Sequence, residues 1–72
     1  MNTENFKKQI GLNIKSLRVK KDLKQTELSD FAQISQTTLS SIENGEQNFR
    51  INTICSIAEV LKVAPEELFK ID

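Results

Sequence analysis

Residues 36 to 41 read Gln-Thr-Thr-Leu-Ser-Ser, a run in which every side chain but Leu39 is polar and uncharged. An amide donates and accepts hydrogen bonds at the same time, and a hydroxyl can do either. Such groups recognise other hydrogen-bonding edges by pattern. Leu39 and Ile42 recur at helical spacing on one face, which leaves Gln36, Thr37, Ser40 and Ser41 on others. One side of this element is therefore suited to a core and another to recognition. Base edges in the major groove of duplex DNA are a target that a helix of this kind fits.

The flanking residues say how such a helix would be positioned. Ser35 is suited to cap a helix from about Gln36 to Glu43, because its hydroxyl can accept an orphan backbone N–H. Asn44 and Gly45 stop that helix, with Gly45 fitted to the left-handed conformation that follows a helix end. A preceding helix covers about Gln25 to Ala32, with Leu28 and Ala32 one turn apart and Ile34 plugging the turn. Residues 25–43 thus form a helix-turn-helix pattern.

An amino-terminal helix from about Asn5 to Lys21 carries Phe6, Ile10, Ile14 and Leu17 as one apolar stripe. Asp22 ends it and Leu23 tucks inward. A polar connection through Glu46, Gln47 and Asn48 leads to a fourth helix, about Asn52 to Leu61, with its stripe at Ile54, Ile57, Ala58 and Leu61. Pro65 fits the first turn of a short fifth helix ending near Phe69, where Glu66 and Glu67 meet the positive helix end. The expectation is an all-α, compact five-helix bundle forming a single domain over residues 1–72.

Composition narrows the function. The chain has 72 residues, 38% of them hydrophobic, four Phe as its whole aromatic content, and no His. The single cysteine, Cys55, cannot form an intramolecular disulfide, and without His it has no partners for a metal site, so no metal or cofactor is expected. Its setting within Ile-Cys-Ser-Ile-Ala reads as a buried, inert thiol in a helix interior. No catalytic residues are assigned, since no nucleophile, base or paired-carboxylate spacing stands out, and so small a bundle leaves little room for a pocket. There is no signal peptide and no long apolar run, so the expected location is the cytoplasm, away from membranes.

The formal net charge is zero, but its distribution is uneven. Through residue 24, seven basic residues against Glu4 and Asp22 leave +5; the remainder carries −5. This asymmetry implies one side that faces phosphate and one acidic side.

The chain resembles the DNA-binding domain of the lambdoid phage repressor and Cro family, also called the XRE family. The resemblance covers roughly residues 6 to 69. Its most specific part is Arg18, Leu23, Gln25, Leu28, Ala32, Ile34, Leu39, Ile42, Glu43 and Gly45, which fall in register over 28 residues. Three positions depart from the family pattern. Gln33 stands where a turn glycine is common, Ser29 replaces the usual Ala between the helices, and Lys24 occupies a capping position usually held by Ser, Thr or Asn. The segment Asn44 to Phe49 is similar to the loop after the recognition helix in restriction–modification controller proteins. Glu46 in that loop is less favourable near phosphate than a basic residue.

What the resemblance implies is sequence-specific binding of double-stranded DNA to regulate transcription. Gln36, Thr37, Ser41 and Ser40 would contact bases; Gln25, Lys24, Ser35 and Asn44 would contact phosphates. Arg18 and Glu43 would form a structural salt bridge between the first and third helices. A homodimer would double the site and read a palindrome, with Phe69 and Ile71 as interface residues and the protein's own promoter as a natural target. RNA polymerase is a further partner if bound protein activates. The alternative, from another class, is an antitoxin or other partner-binding protein whose acidic carboxy-terminal surface masks a toxin.

Overall fold

The computed structural model describes residues 2–46 and 48–71; Met1, Gln47 and Asp72 lie outside it. Four α-helices and a closing 3-10 turn follow in order: α1 (Thr3–Lys20), α2 (Gln25–Ala32), α3 (Gln36–Glu43), α4 (Ile51–Leu61) and the turn Pro65–Phe69. No strand occurs among the described residues. The all-α expectation therefore stands, but the count of five helices is corrected to four. Between Pro65 and the extended Lys70 there is space for little more than one turn, and Glu67 N–H donates to the Ala64 carbonyl three residues back. The chain is extended at Lys70 (φ −66°, ψ 128°), which ends the turn, and the Leu68 and Lys70 carbonyls accept from the Asn13 amide at 2.9 and 2.8 Å.

Each boundary has a local cause. α1 begins two residues before the expected start because the Asn2 side chain accepts from Glu4 and Asn5 N–H. At α2 the cap is half-formed: lysine has no acceptor, but the Glu27 carboxylate accepts from Lys24 N–H at 2.8 Å. Ser35 caps α3 by accepting from Thr38 N–H at 3.0 Å. Past α3, Gly45 lies at φ 72°, and a Cβ there would come within 2.8 Å of the Lys8 Cα.

The apolar stripes meet in one core of Ile10, Ile14, Leu28, Leu39, Ile42, Ile54, Ile57, Leu61 and Leu68, with Ala32 and Ala58. α1 packs on α3, α2 packs on both α3 and α4, and the closing turn lies against α1 and α4. Cys55 corrects the sequence reading: it is exposed. It shares the outer face of α4 with Ile51 and Glu59 at steps of four, a phase that the buried stripe at Ile54, Ala58 and Leu61 leaves out.

Candidate nucleic-acid interface

The core-facing side of α3 is fixed from two directions. Leu39 and Ile42 are buried in the core, and the last turn of α3 lies directly on α1 at Gly11. A Cβ at Gly11 would overlap the Ile42 and Glu43 carbonyl oxygens, so only glycine permits this approach of the two helices. Gly11 is marked in the sequence only as an isolated glycine within a helical pattern, which does not say what approaches it.

Beside that contact, Arg18 of α1 grips Glu43 of α3. Its Nε donates to Oε2 at 2.7 Å and its Nη2 to Oε1 at 3.1 Å, while Nη1 donates to the Leu23 carbonyl at 2.9 Å. The Glu43 side chain is only 2% exposed and that of Arg18 12%. Two parallel bonds to a fully desolvated carboxylate form the strong, geometrically specific kind of ion pair.

The chain of contacts does not end there. Gln25, the first residue of α2, donates through Nε2 to Glu43 Oε1 at 3.1 Å. Gln36, the first residue of α3, in turn donates to Gln25 Oε1 at 3.5 Å, the longest link. Gln25 was expected as a phosphate contact; its link to Glu43 was not legible, because the two lie 18 positions apart in sequence.

The structure brings Gln25, Gln36, Thr37, Ser40 and Ser41 together around one open, shallow concavity. Gln36 and Thr37 are exposed and the two serines half-buried. Lys24 is exposed immediately before Gln25, at the edge of this surface. Ser35 adjoins it, but its hydroxyl is committed: it accepts from Thr38 N–H and donates to Thr38 Oγ1 at 2.8 Å. Asn44 stands apart, at the other end of α3, where it lines a second concavity with Lys8, Leu12 and Lys15. The turn between α2 and α3 runs through Gln33 in the left-handed region, φ 60° and ψ 41°. Ser29 fits between the helices with its hydroxyl donated back to the Thr26 carbonyl at 3.0 Å.

The carboxy-terminal residues divide. Phe69 is half-buried, its ring stacked on Phe6 with centroids 6.3 Å apart, whereas Ile71 is 42% exposed.

A family model described as helix-turn-helix matches residues 14–68. The chain is 36% identical over 63 residues to the uncharacterized HTH-type transcriptional regulator y4dJ of Sinorhizobium fredii, an alignment covering 88% of this chain and 82% of that protein. The chain belongs to the helix-turn-helix family, in its XRE group. The restriction-modification controller protein C.AhdI from Aeromonas hydrophila superposes with a TM-score of 0.84 at 27% identity, over 86% of this chain and 94% of that one. An HTH_3 family transcriptional regulator from Vibrio cholerae gives 0.87 at 29% identity, with 94% of this chain matching 38% of that longer protein. The Sinorhizobium and Vibrio relatives are transcriptional regulators, and no helix among the described residues is long and apolar enough to cross a membrane.

Proposed function

We propose that this protein is a sequence-specific regulator of transcription that binds duplex DNA with α3 in the major groove. The observation that carries the reading is the concavity at the start of α3. There Gln25, Gln36, Thr37, Ser40 and Ser41 converge on a surface next to Lys24, while the opposite side of the same helix is locked into the core. Gln36 reads an adenine through its amide, Thr37 offers a hydroxyl and a methyl, and Ser40 and Ser41 donate or accept at neighbouring base edges. Lys24, Gln25 and Asn44 meet phosphates and set the register without reading sequence, as does Ser35 once its hydroxyl hydrogen turns from Thr38 Oγ1 to a phosphate oxygen.

One α3 spans only a few base pairs, so the operator is a palindrome bound by a homodimer, with half-sites about one helical turn, roughly 34 Å, apart. The exposed Ile71 and the outer edge of Phe69 form its contact. Autoregulation in the manner of a controller protein is the narrower reading, supported by the likeness to C.AhdI over nearly all of that chain.

Selection from a random duplex library, followed by titration of the winner at two salt concentrations, tests the proposal. The expected result is a palindromic motif whose affinity falls steeply with salt, because phosphate neutralisation releases counterions. Enrichment of no sequence would defeat it. Sedimentation that stays monomeric at high micromolar concentration, with and without operator, would remove the dimer.

A further inference from the structure

We infer that Phe31 of one copy docks into the concavity between α1 and the end of α3 of a second copy, joining molecules head to tail. This contact is separate from the carboxy-terminal dimer and independent of the DNA-binding reading.

The socket is lined by Lys8, Leu12, Lys15, Glu43 and Asn44, and its volume is about 250 Å³. An apolar cavity of about 150 Å³ already accepts benzene. Leu12, 54% exposed, is the apolar wall. Lys8 and Lys15 lie one turn to either side of it on the same face of α1. Both are exposed, and neither has an ion pair among the described residues. The Glu43 carboxylate does not oppose them, since Arg18 and Gln25 hold its oxygens. An apolar wall between two unneutralised cations suits a ligand that is apolar and anionic at once. A phosphate alone would satisfy the lysines and leave Leu12 uncovered, whereas an aromatic ring covers Leu12 and offers its face to an ammonium.

The chain carries such a ligand on α2. Of its four Phe, Phe31 alone is exposed, at 65%. Asp30 adjoins it and Glu27 lies one turn earlier, both exposed on the outer face of α2. Glu27 gives one oxygen to Lys24 N–H and keeps its charge. One large apolar anchor with two carboxylates is the inverse of the socket. Aromatic anchors seated in pockets carry most of the energy of a contact, and charges at the rim fix its orientation. Phe31 stays exposed in the single chain, so no copy fills its own socket. Knob and socket are different patches, so each copy offers one of each and the contact propagates from copy to copy.

Sedimentation of the full chain tests this, with the protein kept reduced because Cys55 is exposed. Up to about 1 mM, where even weak contacts are populated, wild type should sediment above a dimer. Raised salt should weaken that growth by screening the rim pairs. Phe31→Ala removes the knob and Leu12→Lys the socket wall. Both side chains are exposed, so the melting temperature should hold, while association above the dimer should weaken at least about tenfold in each. An equimolar mixture of the two variants is the decisive arm. Phe31→Ala keeps its socket and Leu12→Lys its knob, so species above the dimer should return. Wild type that stops at a monomer or dimer overturns the proposal and leaves the socket to an acidic, aromatic segment of another protein. Phe31→Ala that assembles as wild type does, or a mixture that regains nothing, overturns it as well.

Discussion

On its inward side α3 carries Leu39, Ile42 and Glu43, all buried, and the one charged group among them has a partner for each oxygen. On its outward side the same helix carries Gln36, Thr37, Ser40 and Ser41, whose polar groups line an open surface. Eight residues thus hold two regions under opposite constraints. Burial obliges every polar atom to be paired, and among the described residues no buried side-chain nitrogen or oxygen lacks a hydrogen bond. Exposure relaxes that demand and leaves hydrogen-bonding capacity for a ligand. The inward side gives α3 a fixed placement, and a fixed helix holds its outward groups ready, at little further cost in ordering, for a target.

The largest expected effect comes from breaking the inward side at its charge. Glu43→Ala would leave the Arg18 fork and the Gln25 amide without their acceptor in a site from which water is nearly excluded. Losing one member of a buried pair costs about 3–5 kcal/mol. For a domain of this size each kcal/mol lowers the melting temperature by roughly 4–8 °C, so a fall of at least about 12 °C is expected by thermal circular dichroism. A change of only a few degrees would mean that the pair is replaced by water and that the inward side is less rigid than its geometry implies.

Gly11→Ala should come next. The added methyl would meet the backbone carbonyls of Ile42 and Glu43, which cannot rotate aside, so α1 and α3 must separate. Overpacking of this kind costs about 1–3 kcal/mol, and the better helix propensity of alanine recovers only part of it. A melting temperature at or above that of wild type would show that the helices slide without penalty. Separation would also shift Arg18 relative to Glu43, so the two substitutions should be less than additive when combined.

The outward side predicts the reverse. Thr37→Ala removes a hydroxyl that pairs with nothing in the core, and surface changes of that sort stay within about 0.5 kcal/mol. The melting temperature should therefore move by no more than about 4 °C. Discrimination at one base pair of the selected operator should fall by about 1–3 kcal/mol in competition titrations. A variant that loses stability and keeps its base preference would reverse the assignment of the two sides.

Most of the architecture was legible in the sequence wherever a boundary is written by a single local residue. Ser35 before α3 and Gly45 after it mark that helix because capping depends on neighbours two or three positions away. Where a boundary depends on distant partners, the sequence reading drifted. The closing segment reads as a full helix, but the chain turns extended at Lys70, where the Leu68 and Lys70 carbonyls are met by Asn13, more than fifty positions earlier in the chain. Cys55 reads as buried because its neighbours are apolar, but its phase around α4 turns it outward. The residue types of the outward surface are plain in the sequence, but the hydrogen-bond chain from Glu43 through Gln25 to Gln36 is not. It exists only after three helices have converged, and no spacing along the chain encodes it.

The smallest expected effect concerns the helix ends, where three of the described residues other than glycine adopt left-handed backbone: Asp22, Gln33 and Lys62, each at φ 60°. Only Gln33 was anticipated, from the missing turn glycine. A left-handed conformation costs an L-residue with a Cβ about 1–2 kcal/mol, and glycine removes that cost. Glycine also widens the unfolded ensemble, which returns about 0.4–1 kcal/mol of the gain. Lys62→Gly and Gln33→Gly should accordingly stabilise by about 0.5–1 kcal/mol each, a rise of several degrees in melting temperature. Asp22→Gly should gain least, because a short polar side chain that can bond its own backbone already tolerates this region. Gln33 further separates the two sides of α3, since it lies in the turn that precedes the helix, away from the Arg18–Glu43 pair. If Gln33→Gly raises stability and leaves operator affinity unchanged, the placement of α3 is set by its inward side, Leu39, Ile42 and Glu43 against Gly11 and Arg18. If affinity falls while stability rises, the strained turn itself holds the outward face in register, and the rigidity of the helix is divided between its two ends.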